Sequence, residues 1–210
     1  MFDVDGTLVQ SCEVDNAFYV SAVKDVTGKL LDDDWSKYPN ATDRGILMTF
    51  IERQAPWLNL NALEFQVKSV YIQKINEYLE HSRFQEVPGA IEFIERLEAH
   101  NETTISLATG GWKETALLKL TSAGFDTRTL TISSANEHHS RSKIMKIAAK
   151  KVDDTESLPI TYFGDAEWDV KACRKLDVNL VIIGNRTQHY QRLSDFKKYD
   201  AAFDFIVGLN

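Results

Sequence analysis

The sequence predicts an α/β fold: a parallel sheet flanked by helices and interrupted near its start by an all-helical insert. Three observations lead there. From Thr103 onward, short apolar runs alternate with amphipathic stretches, the rhythm of βα units. Between about Val14 and Ser82, apolar residues recur at helical spacing and no strand pattern appears. The 210 residues are 43% hydrophobic and 26% charged with only 4 Pro and 10 Gly, which excludes disordered and fibrous classes and leaves enough chain to bury a core.

In chain order, the helical insert contains candidate helices Val14–Thr27, Thr42–Gln54 and Leu60–Glu80, punctuated by Gly28, Pro39 and Pro56. Val87-Pro88-Gly89 marks a return to the main domain, followed by an amphipathic helix over Ala90–His100. Strands are then expected at Thr104–Ala108, Thr129–Ile132, Ile160–Phe163, Asn179–Ile183 and Ala202–Ile206. The intervening helices are expected at Trp112–Ala123, closed by Gly124; at Arg141–Lys151, with Ser140 as N-cap; and at Glu167–Leu176. This organisation divides the chain into a core domain of residues 1–12 and 83–210 and a helical domain of residues 13–82.

The net charge of -7 disfavours nucleic acid, whose phosphates require a basic face. A small anionic substrate is compatible with it, because local cations, backbone N–H groups and a metal ion hold phosphate inside acidic proteins. Cys12 and Cys173 lie far apart without a CxxC pattern, so a reducing, cytoplasmic setting is expected. The longest apolar runs, such as Leu180–Ile183, are too short to span a bilayer, and no leader pattern opens the chain. Neither a membrane nor a nucleic acid is an expected partner, and nothing in the sequence specifies an oligomeric state.

Three segments carry candidate chemistry. The first is Phe2-Asp3-Val4-Asp5-Gly6-Thr7-Leu8, where alternation along an extended chain turns Asp3 and Asp5 to one side and Gly6 permits a sharp turn. Two such carboxylates repel unless a cation shares the site, and Mg²⁺ with its oxygen ligands is the natural candidate. In the second, Ile105 to Trp112, Thr109 and Gly110 stand between a strand and a helix, where a hydroxyl and free backbone N–H groups hold an anion. The third, Tyr162 to Val170, places Asp165 and Asp169 directly after an apolar strand.

In this order the segments resemble the motifs of the haloacid dehalogenase superfamily: DxDGT, an apolar strand ending in Ser or Thr, and GDxxxD. The insert resembles the helical cap of the subclass that includes phosphoglycolate phosphatase and β-phosphoglucomutase. The resemblance implies a Rossmann-like core and a Mg²⁺-dependent hydrolase acting on a small phosphorylated metabolite. Asp3 would form an aspartyl-phosphate, Asp5 would serve as acid and base, and the metal would be held by Asp3, Asp5, Asp165 and Asp169. The family's basic residue falls on Ser140-Arg141-Ser142-Lys143, with Arg141 preferred over Lys143 although the usual Lys-Pro pair is absent. In the insert, Arg44 is the leading candidate for a substrate contact, with a surface ion pair as the stronger competing reading, and Lys37 and Tyr38 carry similar, weaker claims. Only Met1 and Phe2 precede Asp3, so either the central strand is truncated or the numbered chain starts inside it.

Alternatives differ by residue type. A phosphomutase of this subclass calls for a His near the start of the cap, where Glu13, Val14, Asp15 and Asn16 stand. A phosphonate hydrolase calls for a cap lysine, for which Lys24 and Lys37 are the candidates. A non-catalytic phosphate-binding protein that kept the fold would carry the same motifs without turnover. His138-His139 lacks carboxylate or Cys partners at ligand spacing and reads as a loop, and Trp168 reads as a packing residue.

Overall fold

The computed structural model describes residues 1–100, 102–155 and 157–207, which excludes the last three positions of the expected core domain. Its sheet is parallel throughout. Strand β1 (Leu107–Ala108) pairs with β2 (Ile132–Ser133), and β3 (Thr161–Gly164) with β4 (Asn179–Ile183), which pairs in turn with β5 (Arg192–Leu193). Phe2 joins the two groups, bridging Leu107 on one side and Phe163 on the other, so the spatial order is β2, β1, Phe2, β3, β4, β5.

The apolar run of β4 is explained by burial on both faces. Leu180 and Ile182 pack with Ile144, Met145, Tyr162 and Cys173, whereas Val181 and Ile183 turn to the larger core on the opposite side. Alternation along a strand that is covered twice produces this continuous apolar pattern. In the larger core, the Phe2 ring stacks on Phe163 at 4.7 Å and meets the edge of Phe93 at 6.0 Å. Phe196 stacks on Phe93 at 5.1 Å and completes the group.

Residues 12–81 contain α1 (Cys12–Thr27), a short 3₁₀ turn at Trp35–Lys37, α2 (Asp43–Gln54) and α3 (Leu60–His81). Gly28 closes α1 in the left-handed conformation, while the side chains of Thr42 and Asn59 cap α2 and α3. Tyr19 of α1, Tyr71 of α3 and Trp112 pack with one another, anchoring the helical segment to the loop that follows β1. Then come α4 (Ala90–Glu98), α5 (Lys113–Ala123), α6 (Arg141–Val152), α7 (Glu167–Leu176) and α8 (Tyr199–Val207). No helix among the described residues is long and apolar enough to cross a membrane.

One expected strand is a helix. Ala202–Ile206 lies within α8, where Ala202 is buried and the Tyr199 ring stacks on Phe203 one turn later, at 5.5 Å. A five-residue apolar run does not distinguish a buried strand from the inner face of a short helix. The strand expected at Thr104–Ala108 pairs only over Leu107–Ala108, since the adjacent extended segment contributes Phe2 alone. The strand expected at Thr129–Ile132 is shifted to Ile132–Ser133, and β5 had no sequence signal.

Phe163 touches both the pairing of the sheet and the aromatic core. Phe163→Ala is expected to destabilise the protein by about 3–5 kcal/mol, measured by urea unfolding; a loss below about 1 kcal/mol would contradict this packing.

Candidate active site

All strands of a parallel sheet point the same way, so the residues that follow them gather along one edge. Asp3 follows Phe2, Thr109 follows β1 and Asp165 follows β3, and the three distant segments meet there. Carboxylate oxygens of Asp3, Asp165 and Asp169 lie within 4.8 Å of one another, and all three residues are buried. Gly6 makes this approach possible. Its φ of 77° lies in the left-handed region, and a Cβ there would overlap the Asp165 carboxylate.

The charges are compensated within the site. Arg141, at the first position of α6, directs Nη1 to Asp3 Oδ2 at 2.8 Å, to the Tyr162 hydroxyl at 3.1 Å and toward Asp169 Oδ1 at 3.1 Å. The last contact is close enough for charge attraction but is not aligned as a hydrogen bond, so Asp169 Oδ1 has no hydrogen-bond partner among the described residues. Asp169 Oδ2 accepts from the Asp165 and Ala166 N–H groups at 3.1 Å each, which fixes the turn into α7. Val4 N–H donates to Asp3 Oδ1 at 2.8 Å, and Arg186 donates to Asp165 Oδ2 at 2.7 Å.

Asp5 sits on the other side of the cavity with a separate set of partners. Its Oδ1 accepts from Ser11 Oγ at 2.5 Å and lies 2.6 Å from the Lys119 ammonium, which also contacts Asp15 Oδ1 at 2.5 Å. Asp43 accepts from Trp112 N–H at 2.8 Å, and its own N–H donates to Gly110 O at 2.9 Å. Among the described residues, Asp3, Asp5, Asp15, Asp43, Asp165 and Asp169 face only Lys119, Arg141 and Arg186 as nearby cations.

Burial is the largest influence on the acids and raises them. Asp3 is pushed up by desolvation, against Arg141, with Asp169 and Asp5 adding to the rise. Asp165 is raised by desolvation and by Asp169 and Asp3, with Arg186 opposing. Asp169, Asp15 and Asp43 are raised for the same leading reason. A donor set made only of oxygens, with one buried oxygen unpartnered and an excess of negative charge, fits a hard divalent cation such as Mg²⁺.

An inner cavity of about 70 Å³ is lined by Asp3, Asp5, Thr109, Gly110, Gly111 and Arg141 on the core side. Tyr19, Trp35, Thr42, Asp43 and Ile46 face it from the helical segment. The inner volume holds little more than a phosphoryl-sized group. It adjoins an outer cleft of about 450 Å³, and Trp35, Arg141, Trp168 and Arg186 line both.

Not every expected residue reaches this place. Lys143 is exposed, because two residues along a helix turn a side chain by about 200° and α6 offers only Arg141 to the site. Arg44 pairs with Glu64 at 2.8 Å, as the ion-pair reading expects, and lines neither cavity. Lys37 pairs with Asp32 at 2.9 Å, while Tyr38 lines the outer cleft. Trp168 lines both cavities and its buried Nε1 has no hydrogen-bond partner, so packing alone does not describe it. The His138 and His139 rings lie 4.4 Å apart, tilted by 32°, without a carboxylate partner among the described residues.

Lys119, Asp15, Asp43 and Arg186 escaped the sequence reading. For Lys119 a signal existed, since it follows buried Ala116 by three residues and precedes buried Leu120, placing a lysine within the apolar stripe of α5. Arg186 lies just after β4, on the edge where parallel sheets place their ligands.

Solved structures share this architecture. A hydrolase from Pseudomonas syringae superposes with a TM-score of 0.69 at 22% identity, covering 90% of this chain and 85% of that one. CbbY from Rhodobacter sphaeroides, solved in complex with phosphate, gives 0.67 at 14% identity over 94% and 93%. A β-phosphoglucomutase from Clostridium difficile gives 0.67 at 13% identity over 99% and 96%. No curated protein matches the sequence. The sequence profile of haloacid dehalogenase-like hydrolases matches residues 1–183, and the chain belongs to that family.

The raised acids set the sign of the pH dependence. A buried acid with a raised pKa keeps its proton in the folded state where the unfolded chain has released it, so the folded state binds more protons. Stability of the metal-free protein therefore falls as pH climbs above the ordinary carboxylate value of 3.8. In EDTA, Tm is expected to drop between about pH 5 and about pH 8. Added Mg²⁺ is expected to raise Tm more at the higher pH, where it replaces protons; an equal or absent shift at both values would count against a cation at these acids.

Proposed function

We propose that the protein is a magnesium-dependent phosphatase that hydrolyses the monoester of a small phosphorylated metabolite through an aspartyl-phosphate on Asp3. Residues 13–82 act as a cap over a core formed by 1–12 and 83–210. The observation that carries this reading is the meeting of Asp3, Asp165 and Asp169 within 4.8 Å beside a cavity also lined by Asp5 and Thr109. Membership of the hydrolase family supports it, as does the phosphate held by the CbbY structure of the same fold.

In this mechanism an Asp3 carboxylate oxygen attacks phosphorus as the ester P–O bond breaks, and Asp5 gives its proton to the departing oxygen. Asp5 then takes a proton from water, whose oxygen attacks the phosphorylated Asp3 and releases inorganic phosphate. Thr109 Oγ already accepts from Gly111 N–H at 3.1 Å, which leaves its hydroxyl proton for the phosphoryl group beside the Gly110 backbone. Arg141 balances the charge on Asp3, and its contact with that carboxylate supports it, over Lys143, in the basic role. The residues that would hold Mg²⁺ are Asp3, the Asp5 backbone carbonyl and Asp165, with Asp169 behind them. When bound, the ion supplies charge neutralisation and orientation for the phosphoryl group.

The inner cavity suits a phosphoryl group, and the outer cleft leaves room for a modest organic remainder. Helical residues that close over both favour a metabolite over a phosphoprotein and exclude water during transfer. A phosphonate hydrolase finds less support, since Lys24 is exposed, Lys37 is paired with Asp32, and neither lines the inner cavity.

Asp3→Asn is expected to fold and to lose about 10³-fold or more in kcat on an aryl phosphate with Mg²⁺ present. EDTA is expected to silence the wild type. Undiminished hydrolysis by Asp3→Asn would refute the nucleophile, and a wild type that binds phosphate without cleaving any ester would favour a non-catalytic phosphate-binding protein.

A further inference from the structure

The phosphatase mechanism leaves Lys119 unused, and its surroundings are unusual for a lysine. Its side chain is 0% exposed. Lysine is almost never fully buried unless paired, because an ammonium loses its hydration there. Its partners are Asp5 Oδ1 at 2.6 Å and Asp15 Oδ1 at 2.5 Å, and Asp15 also accepts from the Tyr71 hydroxyl. Thus one ammonium from α5 of the core ties together Asp5, the start of α1 and the middle of α3.

We propose that Lys119 is a positioning residue for Asp5, holding one carboxylate oxygen so that the other faces the reacting ester. The inference rests on the phosphatase reading. The two oxygens of Asp5 have different environments. Oδ1 takes both the Lys119 ammonium and the Ser11 hydroxyl, which fills it with donors. Oδ2 lies on the Gly111 side, 3.6 Å from where a Cβ on Gly111 would stand, and Gly111 lines the inner cavity. With Oδ1 occupied by two donors, Oδ2 is the oxygen left free to face the cavity. Lys119 does not line that cavity, so it acts through Asp5 and not on the substrate.

The clamp also joins the acid to the cap. Lys119 cannot hold Asp5 in this geometry without Asp15 as its second anchor, and Asp15 is braced by Tyr71 of α3. Correct aim of the proton donor therefore depends on the helical segment being seated against the core.

The test separates positioning from simple charge balance. Lys119→Met leaves Asp15 buried and unpaired and is expected to be unstable. The double variant Lys119→Met/Asp15→Asn removes both charges, keeps an acceptor for Tyr71, and is expected to recover a cooperative unfolding transition. It should still lose about 10²-fold in kcat, with KM within about threefold of wild type. Its loss in kcat/KM should be greater for glycerol 2-phosphate, whose alkoxide needs a proton to leave, than for p-nitrophenyl phosphate, whose leaving group does not. A folded double variant with wild-type kcat, or with equal losses on the two esters, would overturn the positioning role. A wild type inert to both esters with Mg²⁺ would overturn the phosphatase reading and this inference with it.

Discussion

The arrangement depends on the guanidinium of Arg141 buried between Asp3, Asp169 and the Tyr162 hydroxyl. Without it, three carboxylates would crowd one edge of the sheet with little but Arg186 to offset their repulsion. A buried charge left without its partner typically costs about 3–5 kcal/mol. The same contact sets local geometry. Arg141 passes so close to Gly110 that a Cβ there would lie 2.5 Å from its Nη2, so the cavity-facing loop is shaped around the arginine.

From that contact the rest of the architecture follows in order. Parallel pairing brings Phe2, β1 and β3 side by side, and the twofold burial of β3 and β4 keeps their carboxyl ends in fixed register. Glycine at positions 6 and 164 admits the acidic side chains of Asp165 and Asp169 at distances no larger residue tolerates. The helical segment contributes a second group of acids, Asp15 and Asp43, answered chiefly by Lys119. The site is thus two charge clusters, one within the core and one at its junction with the helices.

Much of this was legible in the sequence, and the reasons differ by residue. Asp3, Asp5, Thr109 and Asp165 stand directly after apolar strands or glycine turns, local patterns that put polar groups at a sheet edge. Arg141 over Lys143 followed from its place at a helix start, and burial of the one with exposure of the other agrees with helical geometry. For Arg44 the sequence offered an ion pair beside substrate contact, but its partner, Glu64, comes from another helix, and no local pattern names a partner across that distance. Lys119 was passed over for a similar reason: a lysine in an apolar stripe becomes informative only when Asp5 and Asp15 are known to sit beside it. Ala202–Ile206 failed because a five-residue apolar run suits either a strand or the inner face of a short helix.

The Thr109–Trp112 loop has two attachments at once. It faces the inner cavity with Thr109, Gly110 and Gly111, and it exchanges two backbone-directed hydrogen bonds with Asp43 at the start of α2. Whatever orders this loop from below also secures the roof from above. By thermodynamic reciprocity, a ligand that tightens the latch by some factor is itself bound more tightly by the same factor when the latch is shut. The loop is a shared hinge-pin between the cavity wall and the start of α2, and Asp43, which itself lines the inner cavity, is the residue through which the two are joined.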